Sequence, residues 1–200
     1  MSRRKPTQER AEVTVTALLD ATAELLVRDG YAKTSTNRIA KRAGVSIGSL
    51  YHYFDDKDAI IRALVERVVQ RQLAALSESL SSTYELEPEE GVRALIHAAL
   101  ESQKVEAELA HVLLTECPRE GREDLDRRWK RRITEILTAR MLAEPERVRP
   151  RNVGLAAYVL VHAVFAVVRD ALADRPELLA GPALENELTD LVVCYLRPED

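Results

Sequence analysis

The segment Thr34–Phe54, TSTNRIAKRAGVSIGSLYHYF, constrains the fold of this chain more than any other stretch. Its pattern predicts a short helix, a tight turn at Gly44 and a second short helix. Ser35 and Ser46 each precede one helix, where a hydroxyl can accept a hydrogen bond from the exposed backbone N–H groups. Gly44 suits the turn because a positive φ costs glycine nothing. These residues together predict a helix-turn-helix.

The surface chemistry of this segment indicates a partner. In the second helix, Leu50 and Phe54 lie four positions apart and are expected to face inward. Hydroxyls and an imidazole are then left for the other sides, and such groups bond to phosphate oxygens and base edges. Between Gly30 and Phe54 the chain has no acidic residue but four cations: Lys33, Arg38, Lys41 and Arg42. The pattern favours duplex DNA, although a helical hairpin whose Tyr and His complete a small core remains the simpler alternative.

Charge separates this part of the chain from the rest. Residues 1–57 hold ten Lys/Arg and seven Asp/Glu, a net charge of +3, whereas the remainder holds nineteen and twenty-six, a net charge of −7. The acidic total does not contradict DNA binding, because salt screens charges beyond about 8 Å at physiological ionic strength. The charge close to the DNA determines whether phosphates are attracted, and it is positive where the helix-turn-helix is predicted.

Three stretches in order, Leu18–Leu26, Asp29–Ser35 and Ala43–Lys57, carry a family resemblance. With their spacings, they resemble the tetracycline-repressor (TetR) family from about Ala11 to Val65. The resemblance implies an all-α homodimer with an N-terminal DNA-binding domain and a C-terminal domain for ligand binding and dimerisation. It also implies a transcriptional regulator that binds a double-stranded DNA operator, usually a repressor released by a small molecule.

Carried over position by position, the resemblance assigns DNA contacts in this chain. Two polar residues would begin the first short helix, seven would lie along the recognition helix, and Lys57 would contact a phosphate. Gly48 would let the backbone approach DNA closely, and Arg38 could equally lie on a solvated face. The predicted DNA-binding residues are Thr36, Asn37, Arg38, Ser46, Ile47, Gly48, Ser49, Tyr51, His52, Tyr53 and Lys57.

The rest of the chain is predicted to be helical, with about nine helices in all. Apolar spacing and proline positions place the longer ones at 7–29, 57–79, 88–105, 106–116, 120–143, 152–173 and 183–196. We expect a DNA-binding domain at 1–56, with a basic arm at 1–6, and a ligand-binding and dimerisation domain at 57–200. A helix beginning after Asp55–Asp56 would link the two.

An almost wholly apolar stretch at 154–168 predicts a helix covered on several sides. Burial between its own core and a partner subunit would explain it, and the last helix carries a matching stripe. The alternative is the core of a monomer. The predicted homodimer interface consists of Ala157, Val161, Val164, Phe165, Val168, Leu184, Leu188, Leu191, Val192 and Tyr195.

The sequence contains no motif that identifies an effector site. Four polar-tipped residues on the later helices are candidates for contacts with an unknown small molecule: His97, Trp129, Tyr158 and His162. Each could instead belong to the core or the surface. His162 needs a partner in an apolar helix, but a hydrogen bond within the chain would satisfy it.

Other classes of function find little support in the sequence. The chain has no P-loop, dinucleotide-binding glycine motif, metal spacing or nucleophile elbow, so we expect no enzyme, cofactor or metal. Cys117 and Cys194 are too few for a disulfide scaffold. The N-terminus is not a signal peptide, and no apolar run reaches membrane-spanning length, so we expect a cytoplasmic protein. The alternative function is a regulator that docks another protein through its N-terminal helices.

Overall fold

The computed structural model describes residues 6–83, 86–104, 107–118, 122–149 and 152–198. In these ranges the chain is helical and contains no strand, which confirms the all-α prediction. The helices are α1 (Pro6–Asp29), α2 (Thr36–Ala43), α3 (Ile47–Tyr53), α4 (Lys57–Ser82), α5 (Pro88–Lys104), α6 (Ala107–Thr115), α7 (Arg122–Ala143), α8 (Val153–Asp174) and α9 (Pro182–Leu196).

The predicted helix ends agree with these bounds to within three residues. Two short 3₁₀ turns, Pro145–Arg147 and Pro176–Leu179, were not predicted. Each begins at a proline. Proline has no backbone N–H, and the first residues of a helix have no partner for theirs, so proline is favoured at this position. Most of the predicted basic arm lies outside the described residues.

The helices form two compact units. The first comprises the described residues of Met1–Val68 and Glu108–Arg122, and the second those of Val69–Ala107 and Glu123–Asp200. Helix α4 contributes to both units, and α6 belongs to the first although it follows α5 in the chain. The domain boundary at 56/57 stays a prediction.

The core of the first unit is built by one buried face from each of its first four helices. Leu18 and Leu26 of α1, Ile39 of α2, Leu50 of α3 and Leu64 of α4 are all fully buried. The Thr22 hydroxyl, also fully buried, donates to the Leu18 carbonyl at 2.7 Å, so its polar group is satisfied within α1. This packing presents the opposite faces of α2 and α3 to solvent.

In the second unit, α9 packs chiefly on α5. The start of α8 joins a cluster in which Met141, Val153, Ala156 and Ala157 are buried, with Tyr195 packed against it. The small residues at 156 and 157 allow close helix approach. An ion pair between Arg169 and Asp126, 2.9 Å long, joins α8 to α7.

Helix α8 also meets the length and composition expected of a membrane span. The core helix of a soluble protein meets the same criteria. About two fifths of its most apolar window, 39%, is buried within the chain. The buried positions form one face, which is the pattern of a helix packed on a protein core.

Candidate DNA-binding surface and effector region

Local hydrogen bonds define the ends of α2 and α3. The Ser35 side chain accepts from the backbone N–H of Arg38, and the Ser46 side chain accepts from that of Ser49 at 3.0 Å. Gly44 has a φ of 70° and its N–H caps the carboxyl end of α2. The two predicted caps and the predicted left-handed turn are confirmed, because each depends on residues only a few positions apart.

Helix α3 has one buried side and one open side. Leu50 is fully buried and Phe54 is half-buried, as their spacing predicted. Ile47 and Tyr51 are 38% and 52% exposed, and Gly48 and His52 are exposed beside them. The His52 and Tyr53 rings meet edge to face, with centroids 5.1 Å apart. The open side therefore presents aromatic, imidazole and hydroxyl groups around a glycine.

The start of α2 lies next to this open side. The Thr36 hydroxyl is 3.2 Å from the Tyr51 hydroxyl, which joins the first turn of α2 to the middle of α3. Asn37 is exposed on α2. A ligand that lies along the open side of α3 would thus contact polar groups of both helices.

The four cations of the segment divide into two pairs. Arg38 forms an ion pair with Asp29, and Arg42 forms one with Glu24, so both guanidinium groups turn toward α1. Lys33 and Lys41 are exposed, and neither makes an ion pair within the described part of the chain. The hydrogen bond from Arg28, with the further bond and charge of Arg38, lowers the pKa of Asp29 to about 2, although partial burial opposes the shift. Arg38 therefore has a structural partner that the sequence did not indicate.

Lys57 lies at the amino end of α4, and its surroundings were not predicted. Its Nζ donates to the Tyr31 carbonyl at 3.0 Å and lies 3.4 Å from the centre of the Tyr31 ring. The Tyr31 hydroxyl donates to Asp58 at 2.9 Å, and the Tyr31 N–H donates to Glu116 at 2.9 Å. Glu116 follows α6, 85 positions along the chain, so no local pattern could have connected it with Lys57.

The predicted interface residues fall into different environments. Ala157, Val161, Val168, Leu188 and Val192 are buried within the chain, so they expose little surface to a partner. Leu191 is 50% exposed, and the other predicted residues are half-buried: Val164, Phe165, Leu184 and Tyr195.

A different side of α8 is open. We call it the α8 apolar face: Leu155, Tyr158, Val159, His162, Ala166 and Val167. Leu155, Tyr158 and Val159 are 56%, 52% and 43% exposed, although they are large and apolar. Residues 155, 159, 162 and 166 follow one line along a helix. The sequence predicted a doubly covered helix, but an all-apolar pattern does not indicate which side turns toward the chain's own core.

The four predicted effector residues lie in three separate places. His97 is exposed and its Nδ1 is 2.9 Å from Glu185 of α9. Tyr158 and His162 line an open groove of about 600 Å³ between α7 and α8, with their rings 3.9 Å apart. The His162 Nδ1 is 2.8 Å from the Tyr158 carbonyl, so the backbone satisfies it without a ligand.

Trp129 occupies the third place. Its ring centroid is 5.0 Å from that of Phe165, which joins α7 to α8. The indole Nε1 is buried and has no hydrogen-bond partner among the described residues. Leaving a buried donor unpaired costs about 1–3 kcal/mol.

No three His, Cys, Asp or Glu side chains of the described residues cluster in a way that could hold a metal ion. Cys117 is buried and Cys194 is exposed, and the two do not form a disulfide with each other.

Two family models match the chain. Residues 18–64 match the model of bacterial regulatory proteins of the tetR family. Residues 87–196 match the model of the tetracyclin repressor-like C-terminal domain. The two matches lie in the expected order and together span the helix-turn-helix and the helices from α5 to α9.

Individual proteins agree with the models. The transcriptional regulator BetI of Burkholderia thailandensis is 28% identical over 189 residues, which cover 91% of this chain and 94% of BetI. Among solved structures, NalD of Pseudomonas aeruginosa is 23% identical with a TM-score of 0.69, covering 96% of this chain and all of NalD. The complex of SmeT with triclosan is 19% identical with a TM-score of 0.68, covering 93% and 92%.

The two structural likenesses concern the fold. The family models and BetI add the sequence evidence, and they coincide with the capped helix-turn-helix and its polar outer side. The chain belongs to the TetR family of DNA-binding transcriptional regulators.

Proposed function

We propose that this protein is a repressor that binds a pseudo-palindromic operator as a homodimer and is released by a small molecule. The observation that carries the proposal is the open side of α3, where Gly48, Tyr51 and His52 are exposed beside the capped start of α2. A seven-residue helix of this kind fits a major groove, and its hydroxyl and imidazole groups suit phosphates and base edges.

Within this surface, we assign different roles to different side chains. Tyr51 and Thr36 contact the phosphate backbone together, since their hydroxyls already lie 3.2 Å apart. His52 reads a base edge, because it projects from the exposed side one turn after Gly48. Lys33 and Lys41 add positive charge, whereas Arg38 and Arg42 chiefly neutralise carboxylates of α1.

Dimerisation uses the α8 apolar face together with Leu191 of α9. Large apolar side chains that are about half exposed on neighbouring helices indicate a surface that another protein covers. A two-fold axis through this surface would place the same residues on both sides. The dimer would then carry two copies of α3, one for each half-site of a pseudo-palindrome.

The effector binds in the second unit and contacts Trp129. The buried indole N–H without a partner favours a ligand with a hydrogen-bond acceptor, and Phe165 beside it favours an apolar body. SmeT, a structural relative, is known as a complex with triclosan, and NalD is described as the secondary repressor of a multidrug efflux pump. The ligand would act through its difference in affinity between two shapes of the protein, and α4, which contributes to both units, would transmit the change.

The same proposal places the protein in the cytoplasm and assigns it no enzymatic activity. A regulator that binds chromosomal DNA of a bacterium works in that compartment. Its relatives by sequence and fold are transcriptional regulators.

The experiment is selection of bound fragments from sheared DNA of the source organism by the purified protein, near physiological salt, followed by sequencing. The expected result is an enriched pseudo-palindrome whose half-site centres lie about 10 base pairs, or a multiple of this, apart. His52→Ala should change the recovered motif at one position in each half-site. Arg132→Ala, on an exposed side of α7, is the matched control and should recover the same motif.

An effector bound during purification could abolish DNA binding. The selection is therefore repeated with protein that has been unfolded and refolded to remove small molecules. If the refolded protein also enriches no site while remaining a dimer, the proposal is wrong. That result would instead favour a regulator that docks another protein through its N-terminal helices.

A further inference from the structure

Tyr31 connects three elements at the turn between α1 and α2. Its N–H donates to Glu116 after α6, its carbonyl accepts from Lys57 of α4, and its hydroxyl donates to Asp58 of the same helix. The Lys57 amine also lies over the Tyr31 ring, where a cation is attracted to the π electrons. Thus every polar group of Tyr31 is engaged.

The Glu116 carboxylate approaches this turn closely from a distant part of the chain. A Cβ at Gly30 would lie 2.6 Å from Glu116 Oε2, which is closer than such atoms come. Gly30 also has a φ of 77°, a conformation that favours glycine. Position 30 therefore favours glycine because of its backbone conformation, and the absence of a Cβ leaves room for the end of the Glu116 side chain beside the turn.

The hydrogen bond that Glu116 accepts belongs to the stronger kind. A backbone N–H to an ionised carboxylate is roughly twice as strong as a bond between neutral groups. Both residues lie in the first compact unit, together with the whole helix-turn-helix. The contact therefore acts within the unit that carries α3.

The same residue, Tyr31, decides where the Lys57 amine lies. An ammonium group has three N–H donors, and the Tyr31 carbonyl takes one of them. Two remain for other acceptors, and Lys57 is half-buried, so its side chain samples fewer positions than an exposed lysine does. A lysine held in one place loses less conformational entropy when it meets a phosphate.

We infer that Glu116 is a positioning residue for DNA binding: its carboxylate holds the Gly30–Tyr31 turn, and Tyr31 in turn holds the Lys57 amine for a phosphate. The inference rests on the proposed function, because it assumes that the first unit binds DNA. It adds a residue outside the helix-turn-helix to the machinery that sets phosphate contacts.

The test measures the salt dependence of binding to a 30-base-pair duplex of random sequence, by fluorescence anisotropy. Binding of this kind depends on phosphate contacts, and each contact contributes about 0.9 to the slope of log K against log salt. Lys57→Ala should reduce the slope by about 1.8 per dimer, since each subunit loses one contact. Glu116→Ala should reduce it by a similar amount.

Two matched variants separate the effect of the Glu116 charge from the effect of its side-chain length. Glu116→Gln removes the charge but keeps an oxygen that can accept a weaker bond from Tyr31, so its slope should lie between those of the wild type and Glu116→Ala. Glu116→Asp keeps the charge but shortens the side chain by one methylene, so it should lose slope as Glu116→Ala does. If Glu116→Ala failed to fold, the Asp and Gln variants would still decide the question.

The double variant Lys57→Ala, Glu116→Ala shows whether Glu116 acts through Lys57. Its slope should equal that of Lys57→Ala alone, because one contact cannot be lost twice. Equal slopes for Glu116→Asp, Glu116→Gln and the wild type would overturn the inference. A wild-type protein that binds neither this duplex nor any selected operator would instead overturn the proposed function.

Discussion

The outer sides of α3 and α8 expose opposite chemistry. On α3 the exposed groups surround a glycine and include the polar tips of Tyr51 and His52, while the apolar Leu50 is buried. On α8 the exposed side carries Leu155 and Val159, although nearby positions bury apolar residues too. Surfaces that meet nucleic acid are polar and charged, whereas the centres of stable protein interfaces are apolar. From this comparison we expect α3 to meet DNA and α8 to meet a second subunit, and the following predictions test this in order of decreasing effect.

The largest effect is expected on the α8 apolar face. Val159→Glu should weaken dimerisation at least about a thousand-fold, or about 4 kcal/mol, because each dimer would bury two unpaired charges. Sedimentation velocity over a range of protein concentrations measures the change. Arg128→Glu, an exposed charge change on α7, is the control and should leave the dimer intact. A Val159→Glu protein that stays dimeric at nanomolar concentration would show that the interface lies elsewhere.

The second prediction concerns the polar side of α3. His52→Ala should weaken binding to the selected operator by about ten- to a hundred-fold, or about 1–3 kcal/mol, because one base contact is lost. Binding to a duplex of random sequence should hardly change, because phosphate contacts carry it. Anisotropy titrations with the two duplexes measure the difference. An equal loss on both would mean that His52 contacts the backbone rather than a base.

The third prediction concerns Gly48, where the backbone of α3 is exposed and could approach DNA closely. Outside its chain neighbours and its own helix backbone, the described atom nearest to a Cβ at this position would be the Ser46 hydroxyl oxygen, 3.9 Å away. Gly48→Ala should therefore raise the free energy of unfolding of the first unit by about 0.5–1 kcal/mol, because alanine favours a helix. Operator affinity should nevertheless fall about ten-fold if DNA approaches the backbone here. Thermal unfolding and operator titrations measure the two effects.

Two outcomes decide the Gly48 prediction. Greater stability with lower operator affinity would show that the glycine serves DNA rather than the fold. Greater stability with unchanged affinity would contradict a close approach of the backbone to DNA.

The smallest effect concerns pH. Asp29 has a pKa of about 2 in the folded protein because of its bond from Arg28 and the nearby Arg38, whereas an unfolded Asp titrates near 3.8. A lowered folded pKa contributes stability above the unfolded value, and this contribution is lost as the pH falls from about 4 to about 2. Asp29→Asn should remove that part of the pH dependence, which urea unfolding at several pH values would measure. Because the two arginine side chains are largely exposed to solvent, added salt should reduce the effect.

Local signals predicted the helix-turn-helix well. Ser35, Gly44 and Ser46 act on residues three or four positions away, so their caps and turn follow from chain order alone. The helix ends elsewhere were also predicted closely, because prolines and apolar spacing are local as well. Leu50 was predicted to face inward for the same reason.

Contacts between distant residues were not predicted. The sequence did not indicate that Arg38 and Arg42 form ion pairs with carboxylates of α1. The sequence did not indicate a role for Glu116, since its hydrogen bond with Tyr31 forms only when α6 packs in the first unit. The burial of Ala157 and Val161 was likewise a result of packing, because nearly every position of α8 is apolar.

The sequence by itself determined the helices, the turn of the helix-turn-helix and the inward side of α3, and its resemblance indicated the family. Each of these depends on backbone conformation or on spacing within one helix. Only the tertiary structure decided which side of α8 stays open, which cations pair with carboxylates and how Glu116 reaches Tyr31. These features depend on which helices meet, and that choice minimises buried polar groups and exposed apolar surface over the whole chain rather than within any one segment.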